Sequence, residues 1–412
     1  MTIAKGKVDS TARAQLVLLA VVELLAMSLW FSASAVTQAL TESWQLSRAA
    51  QSWLTISVQL GFVIGALASA VLNLSERITP PRLLAVCAVI GAALNAAIPL
   101  GISDEFGRTS GGFAALVALR MATGVMLAGV YPTGMKLLAT WFKQGRGLAI
   151  GVLVGALTVG SASPHLLAGI APWRTVMLGC SLAAFLGGLI ALATAQVGPH
   201  LPAATHFDWG YFARVWADPA VRRANFGYLG HMFELYAMWT WAPHLLKASY
   251  AAHSLSATSA ASAAFAVVAI GGLGCVLAGV TADRTGRCNT TIASLVISGS
   301  CALVAGWLAD QPVLLTAVCL IWGFAVVADS AQFSAAVSEL CDPRFVGTAL
   351  TIQTCAGFLL TTLTIRAVPE LQASYGWGWA FALLALGPVF GVFHMARLRA
   401  SPESLKMAGG NR

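Results

Sequence analysis

Charged residues are scarce in this chain of 412 residues: Asp, Glu, Lys and Arg make up 10% of it, and hydrophobic residues make up 58%. The mean hydropathy is +0.78, far above the range of soluble globular domains. Too few polar residues remain to cover the surface of a soluble protein of this size. The composition therefore excludes a soluble enzyme or binding module and predicts a membrane protein that crosses the bilayer many times.

The sequence also lacks the patterns that bind metals or support catalysis. Its eight cysteines are scattered, mostly within apolar stretches, and none forms a Cys-x-x-Cys pair, so neither a metal site nor redox chemistry is expected. No nucleophile with a nearby base is apparent. The polar segment 198–223 is too short for the output domain of a membrane sensor. We therefore predict no catalytic residue, no metal and no cofactor.

Long apolar runs account for most of the chain. A helix needs about 20 residues to cross the hydrocarbon core, and twelve stretches meet this requirement. We number them as spans 1 to 12: 14–40, 49–74, 83–102, 111–137, 147–170, 175–197, 225–246, 257–280, 289–309, 312–337, 348–368 and 375–396. The predicted fold class is an all-α membrane protein with twelve transmembrane helices.

An internal repeat divides these spans into two sets of six. The segments 23–30 (ELLAMSLW) and 234–241 (ELYAMWTW) agree at five positions, and Glu76-Arg77 after span 2 matches Asp283-Arg284 after span 8. A duplicated six-helix unit explains both matches. We therefore predict two pseudo-symmetric six-helix bundles, residues 1–197 and 224–412, joined by a cytoplasmic linker over residues 198–223.

The basic residues indicate how the chain is oriented. With the N-terminus inside, 17 of the 24 Lys and Arg residues fall on the cytoplasmic side, 5 fall outside, and Arg120 and Lys136 lie within span 4. This asymmetry follows the positive-inside rule and predicts that both termini are cytoplasmic. The net charge of +8 is then explained by contact with anionic lipid headgroups rather than with nucleic acid.

Three motifs resemble those of the major facilitator superfamily. The segment 279–287 (GVTADRTGR) after span 8 resembles its loop signature, and the segment 73–82 after span 2 keeps the acid and the basic residues but replaces both usual glycines. Arg120-Met-Ala-Thr-Gly124 is similar to the Arg-x-x-x-Gly pattern of span 4. The Gly-Pro dipeptide of the antiporter branch is absent. The candidate gate residues are Glu76, Arg77, Gly279, Asp283, Arg284, Gly286 and Arg287.

The resemblance implies a bacterial inner-membrane transporter that works as a monomer by alternating access. Spans 1, 4, 7 and 10 would line a central cavity, spans 2, 5, 8 and 11 would form the interface between the halves, and spans 3, 6, 9 and 12 would face lipid. Asp283 would dock near Gly147 on span 5, and Glu76 near Gly347 on span 11, to close the inner gate. The small residues of the interface would be Gly61, Gly65, Gly151, Gly155, Gly271, Gly274 and Gly279.

Ionisable side chains deep in the spans are the candidates for proton coupling and substrate binding, since such groups face a cavity or one another. They are Glu23, Arg120, His231, Glu234 and Asp329, in spans 1, 4, 7, 7 and 10. Three structural alternatives stay open: an ion pair of Glu23 with Arg120, a hydrogen bond from His231 to Glu234, and a hydrogen bond from Asp329 to Ser330. The helical spacing places Trp30 and Trp241 on the faces of the two glutamates, as candidate cavity aromatics.

The sequence therefore predicts a secondary active transporter for a small solute, coupled to protons through acids that meet in one chamber at mid-membrane. Its substrate class stays open. An acidic, aromatic cavity suits efflux of a drug or cation in exchange for protons, whereas Arg120 with His231 and His165 suits symport of a small anion. A facilitative uniporter is the alternative if every charge is locked in a pair.

Overall fold

The computed structural model describes residues 2–142, 146–200, 207, 208 and 210–411, and within them it contains helices and no strands. The helices of the first half are Thr2–Met27, Ser32–Ala35 and Thr37–Trp44 (span 1), Arg48–Val71 (span 2), Pro80–Gly101 (span 3), Ser110–Leu127 and Tyr131–Ala139 (span 4), Arg146–Leu167 (span 5) and Trp173–Thr194 (span 6). Short helices Leu74–Arg77 and Asp104–Gly107 lie in the loops after spans 2 and 3.

The second half repeats this order. Its helices are Pro219–Ala252 (span 7), Ala257–Ala269 and Gly271–Thr285 (span 8), Arg287–Ala305 (span 9), Pro312–Ala328 and Ser330–Leu340 (span 10), Val346–Ala382 (span 11 and the start of span 12) and Leu386–Arg399 (the rest of span 12). Gly376, at φ 82°, turns the chain between spans 11 and 12, a conformation that glycine adopts without the strain of a side chain.

Ten helical segments of the described chain are apolar and long enough to cross a membrane. One of them, Pro343–Arg399, has 57 residues and becomes two spans at Gly376. Span 7, which is less apolar, is a helix of 34 residues. The predicted set of twelve spans is thus accounted for, and the all-α fold class is confirmed.

Span 7 begins earlier than expected, inside the predicted linker 198–223. The Asp218 carboxylate accepts hydrogen bonds from the backbone N–H groups of Ala220 and Val221, and Pro219 occupies the first turn. Both features favour helix initiation, so Asp-Pro starts a helix here rather than a joint. Of the rest of the linker, residues 201–206 and 209 lie outside the described residues.

Four spans that the sequence predicts to be continuous are interrupted. The helix stops at residues 28–31 in span 1, at residues 128–130 in span 4, at Ile270 in span 8 and at Asp329 in span 10. The breaks in spans 4 and 10 occupy corresponding places in the two halves. Hydropathy alone does not detect such breaks, because the residues around them are as apolar as those of an unbroken helix.

The two halves meet along spans 5 and 8 and along spans 2 and 11. A Cβ atom at Gly155 would lie 2.9 Å from the Gly272 carbonyl oxygen, which shows that the two backbones touch. Across the other contact, the Phe62 and Phe358 rings lie 4.6 Å apart. The interface spans are therefore those that the family resemblance implies.

Some glycines expected at this interface serve packing within a half instead. Gly61 and Gly65 lie against the backbone of span 4 at Met121 and Val125. Similarly, Gly271 and Gly274 lie against span 10 at Gly323 and Phe324, whereas Gly272 and Gly279 face span 5. The sequence identifies glycines that permit close approach, but their spacing does not say which neighbour approaches.

Spans 3, 6, 9 and 12 carry exposed apolar side chains, as lipid-facing helices must. Examples are Ile90, Leu186, Val296 and Val389. Large apolar patches of this kind would destabilise a soluble protein but are the normal outer surface of a protein in a bilayer.

Substituting leucine for Gly155 tests the contact between spans 5 and 8. A side chain there would overlap the Gly272 backbone, and overpacking of this kind costs about 1–3 kcal/mol. We expect Gly155→Leu to lower the apparent melting temperature of the protein in detergent. Gly101→Leu is the matched control, because a Cβ atom there has no neighbour within 4 Å; equal stability of the two variants would contradict the contact.

Candidate functional site

The break in span 1 is held by Arg120 of span 4. The Arg120 guanidinium donates hydrogen bonds to the carbonyl oxygens of Leu29, at 2.9 Å, and Trp30, at 2.5 Å. It also donates to the Ser32 hydroxyl, at 3.0 Å, and to the Asn95 side-chain oxygen, at 3.2 Å. Buried backbone groups need partners in hydrocarbon. Arg120 therefore satisfies the carbonyls that span 1 releases where its helix stops.

The alternative of an ion pair between Arg120 and Glu23 is wrong. Arg120 is fully buried, its partners are the backbone and neutral side chains, and no salt bridge joins it to an acid among the described residues. The planar guanidinium presents five donors, which suits a cluster of carbonyl oxygens at a helix break. This partner set could not be read from the sequence, because hydropathy does not reveal the break.

Glu23 lies inside the first half. Both carboxylate oxygens are buried without a hydrogen-bond partner in the described structure, and its Oε2 lies 3.0 Å from the position of a Cβ atom at Gly134. Its carboxylate thus lies against span 4 of its own half. A charged carboxylate in this setting would lose its hydration with no compensating bond.

Glu234 occupies the related place in the second half, with different partners. The Trp322 indole N–H donates to its Oε1 at 2.7 Å, and the Ser298 hydroxyl donates to its Oε2 at 2.8 Å. These donors come from spans 10 and 9. Glu234 is therefore fixed within its own bundle, and the expectation that both glutamates meet in one chamber is wrong.

His231 pairs with Asp329 rather than with Glu234. Its Nδ1 lies 2.9 Å from the Asp329 Oδ1, and both side chains are about 1% exposed. The alternatives of a His231–Glu234 bond and an Asp329–Ser330 bond are accordingly replaced by this pair. Asp329 sits at the break in span 10, so the pair connects span 7 to the point where span 10 changes direction.

Aromatic rings, not acids, fill the centre between the halves. Trp30 of span 1 lies 5.1 Å from Phe62 of span 2, 5.8 Å from Tyr236 of span 7 and 5.5 Å from Phe358 of span 11, measured between ring centroids. Tyr236 and Phe358 lie 5.0 Å apart. We call these four side chains, with the adjoining Phe31 and Trp239, the aromatic cluster. Sequence reasoning found Trp30 but missed the other five, which carry no local motif.

Two indole groups of the aromatic cluster have no hydrogen-bond partner in the described structure. They are the Nε1 atoms of Trp30 and Trp239, both on buried side chains. Buried polar groups nearly always find partners, and Trp is usually placed so that its N–H is used. These two N–H groups are therefore donors that the described part of the protein leaves without an acceptor.

Trp241 does not belong to this cluster, contrary to its pairing with Trp30 in the sequence repeat. Its Nε1 donates to the Ile365 carbonyl oxygen of span 11 at 3.0 Å. The side chain thus links two spans of the second half. The difference arises because span 1 is broken beside Trp30, whereas span 7 is continuous through Trp241.

At the gate motif, Arg287 gathers three acceptors. It donates to the Asp283 Oδ1 at 3.0 Å, to the Gln332 Oε1 at 2.8 Å and to the Glu339 Oε1 at 2.9 Å. The Asp283 carboxylate also abuts Gly147 at the start of span 5. Gly286, at φ 92°, ends span 8. The motif thus contacts both halves at the end of the bundle that carries most Lys and Arg residues, which we call the basic end.

The first-half counterpart of this motif is bound differently. Glu76 forms an ion pair with Lys136 of its own half at 2.5 Å, which replaces the expected docking on span 11. Arg77 and Arg284 are exposed.

A cleft of about 300 Å³ lies between the halves at the opposite end. Its walls come from the ends of spans 1 and 5 and the start of span 6 on one side, and from the end of span 7 and the start of span 8 on the other. In the adjoining loop, Asp104 accepts hydrogen bonds from Trp44 and Arg174, both at 2.9 Å. The Trp44 bond, and then Arg174, hold the pKa of Asp104 below its usual value. These bonds tie the loop after span 3 to spans 1 and 6.

Twelve helices in two similar halves, with the aromatic cluster between them, define a multi-pass membrane transporter fold. The chain belongs to the major facilitator superfamily, whose family model matches residues 18–365. No curated protein matches the sequence.

Solved structures match over nearly the whole length. One is the major facilitator superfamily proton:xylose symporter XylE bound to 6-bromo-6-deoxy-D-glucose, which is 15% identical, with a TM-score of 0.70. The match covers 94% of this chain and 96% of that one. At this identity the likeness establishes the fold.

Replacing Arg120 tests its role at the break in span 1. Arg120→Gln would leave the Trp30 carbonyl without its donor and the Leu29 carbonyl with Ser32 as its donor, and an unpaired buried group costs about 1–3 kcal/mol. We therefore expect a large loss of thermal stability in detergent. Arg108→Gln is the control, since that exposed arginine also donates to a carbonyl, that of Ser43, but in contact with water. If Arg120→Gln kept its stability and lost only solute binding, the structural role would be wrong.

Proposed function

We propose that the protein is a secondary transporter that binds a small organic solute at the aromatic cluster and exposes it alternately to the two sides of a bacterial inner membrane. It acts as a monomer, with the basic end and both termini in the cytoplasm. The observation that carries the proposal is the cluster itself, whose rings come from both halves and whose Trp30 and Trp239 N–H groups have no partner.

The contacts across the cluster suit a site that opens and closes. Ring contacts between Trp30, Tyr236 and Phe358 are short-range and involve no charged group, so a flat aromatic solute can replace them without leaving a charge unpaired. The two free N–H groups would fix its orientation, as a few polar groups do in most ligand pockets. Binding there would necessarily change how the halves fit together.

The distribution of charge bears on the solute. Glu23 and Glu234 lie inside their own halves and do not form an acidic wall around the cluster. A cation would therefore find aromatic faces but no carboxylate there. This arrangement disfavours the drug or cation antiporter considered from the sequence, and it favours a neutral or anionic solute.

Proton coupling would reside in the buried groups of each half. Glu23 has no donor to stabilise a negative charge, so we propose that it carries a proton in this conformation and releases it when motion of the halves admits water. The His231–Asp329 pair at the break in span 10 is the second candidate, since a proton can pass between an imidazole nitrogen and a carboxylate oxygen that lie 2.9 Å apart. The proton symport named for XylE supports such coupling.

The gate would close the basic end. Asp283 lies against the start of span 5, where backbone N–H groups and the helix dipole favour a negative charge. Arg287 holds that carboxylate in position. Rocking about the glycine contacts of spans 5 and 8 would then break this contact when the basic end opens.

Removing the free indole N–H groups tests the site. We expect Trp30→Phe and Trp239→Phe to weaken solute binding by about three- to tenfold each, the effect of one lost hydrogen bond, with little loss of stability because no protein partner is orphaned. The ligand would first be found by a thermal-shift screen of small organic solutes, and its uptake would be measured in proteoliposomes. Trp307→Phe, on the exposed surface, is the control; unchanged binding in both cluster variants would refute the site.

Neutralising Glu23 tests coupling. We expect Glu23→Gln to abolish solute accumulation driven by a pH gradient in proteoliposomes while solute exchange continues, because the amide keeps the shape but cannot carry the proton. Glu105→Gln is the control, since Glu105 is an exposed acid in the loop after span 3 and does not line the cleft. Normal accumulation by Glu23→Gln would remove Glu23 from the coupling role, and exchange without any proton movement in the wild type would indicate a uniporter.

A further inference from the structure

The cleft at the end opposite the basic end is apolar except for three side chains. These are Lys247 of span 7 and Gln38 and Glu42 of span 1, while most of the remaining lining is alanine. Small side chains leave the volume of about 300 Å³ open. Because both halves contribute walls, a molecule in the cleft contacts both of them before it reaches the aromatic cluster.

Lys247 is the cation of this cleft. Its ammonium donates one hydrogen bond, at 3.1 Å, to the Ala35 carbonyl oxygen of the other half. No acid lies within salt-bridge distance of it among the described residues. An ammonium group has three donors, so Lys247 can bind a further acceptor.

The next layer, one to two helical turns deeper, consists of Phe31, His165 and Trp239. The Phe31 ring lies 5.8 Å from Trp239 and 6.4 Å from His165. Both the Trp239 Nε1 and the His165 Nδ1 are buried without a partner in the described structure. Lys247 and His244 are the charged and titratable neighbours of His165. This layer leads directly to Trp30 and the rest of the aromatic cluster.

From the cleft to the aromatic cluster, the polar groups that can still form a hydrogen bond are mostly donors. Lys247, Trp239 and Trp30 can only donate, and His165 can donate from its free nitrogen. The acid of the cleft, Glu42, is exposed, and its Oε1 accepts a hydrogen bond from Gln38 at 3.1 Å. Such a route favours a group that only accepts hydrogen bonds and carries negative charge, which describes a carboxylate.

We infer that the solute is an organic monocarboxylate with a flat apolar body. Its carboxylate binds Lys247 in the cleft and then the donors of His165 and Trp239, while its ring enters the aromatic cluster. This inference rests on the proposed function and names its substrate class. A carboxylate that binds the Lys247 ammonium also competes with the Ala35 carbonyl, which removes a contact between the halves where the cleft opens.

The test compares acids with their neutral amides. Binding of benzoate, phenylacetate and indole-3-acetate is measured by calorimetry on the purified protein, beside benzamide, phenylacetamide and indole-3-acetamide. We expect at least one acid to bind about tenfold or more tightly than its amide, a difference of about 1.4 kcal/mol. Lys247→Met should remove this preference and leave amide binding unchanged, whereas Lys247→Arg should keep it.

Arg366→Met is the matched control, because Arg366 is a cation at the same end that pairs with Glu370 and lies outside the cleft. Two outcomes would overturn the inference while the proposed site stands: amides that bind as tightly as their acids, or a Lys247→Met variant that weakens both equally, as a mere contact between the halves would. Failure of every acid to bind also overturns it. The proposed function is then decided separately by the Trp30→Phe and Trp239→Phe variants with the solute from the wider screen.

Discussion

The hydrogen bonds from Arg120 to the carbonyls of Leu29 and Trp30 are the interaction on which the centre of the molecule depends. Inside a bilayer no water can satisfy a backbone group, so a helix can break only where protein donors replace its lost hydrogen bonds. Arg120, with Ser32 and Asn95 beside it, supplies those donors. The break in turn places Trp30 and Phe31 among the rings of the other half. A buried arginine without an acid partner is thus explained by the backbone that it supports.

The buried ionic groups and most of the contacts between the two halves lie in different parts of this structure. The buried ionic groups, Glu23, Glu234 and the His231–Asp329 pair, are held within one half or the other, while aromatic rings and glycine backbones form most of the contact between halves. Separating two buried charges would cost several kcal/mol, whereas rings and glycine surfaces can part and meet again at a lower cost. The separation therefore allows the halves to rock without breaking the ionic groups on which coupling would depend.

Much of the fold could be predicted from the sequence because a bilayer restricts the choice to apolar helices of nearly fixed length. Hydropathy located all twelve spans, and the repeated Glu-Leu-x-Ala-Met motif separated the halves. The contact partners of the buried polar side chains could not be predicted in this way. Helical spacing tells which residues share a face but not which helix lies opposite. The sequence therefore suggests an ion pair of Arg120 with Glu23 and a hydrogen bond from His231 to Glu234, and the structure shows neither. Trp30 and Trp241 end similar repeats that agree at five of eight positions, yet only span 1 breaks beside its tryptophan. The serines and the asparagine around that break were its only trace in the sequence.

The two glutamates show how duplicated halves can acquire different chemistry. In the second half, Ser298 and Trp322 donate to both oxygens of Glu234, so this carboxylate binds spans 7, 9 and 10 together. In the first half, the Glu23 carboxylate lies against Gly134, and neither of its oxygens has a hydrogen-bond partner in the described structure. A buried carboxylate is stable in its charged form only where hydrogen-bond donors or cations contact its oxygens. The same motif therefore yields a carboxylate anchored by two donors in one half and, in the other, a carboxylate with no hydrogen-bond partner in the described structure.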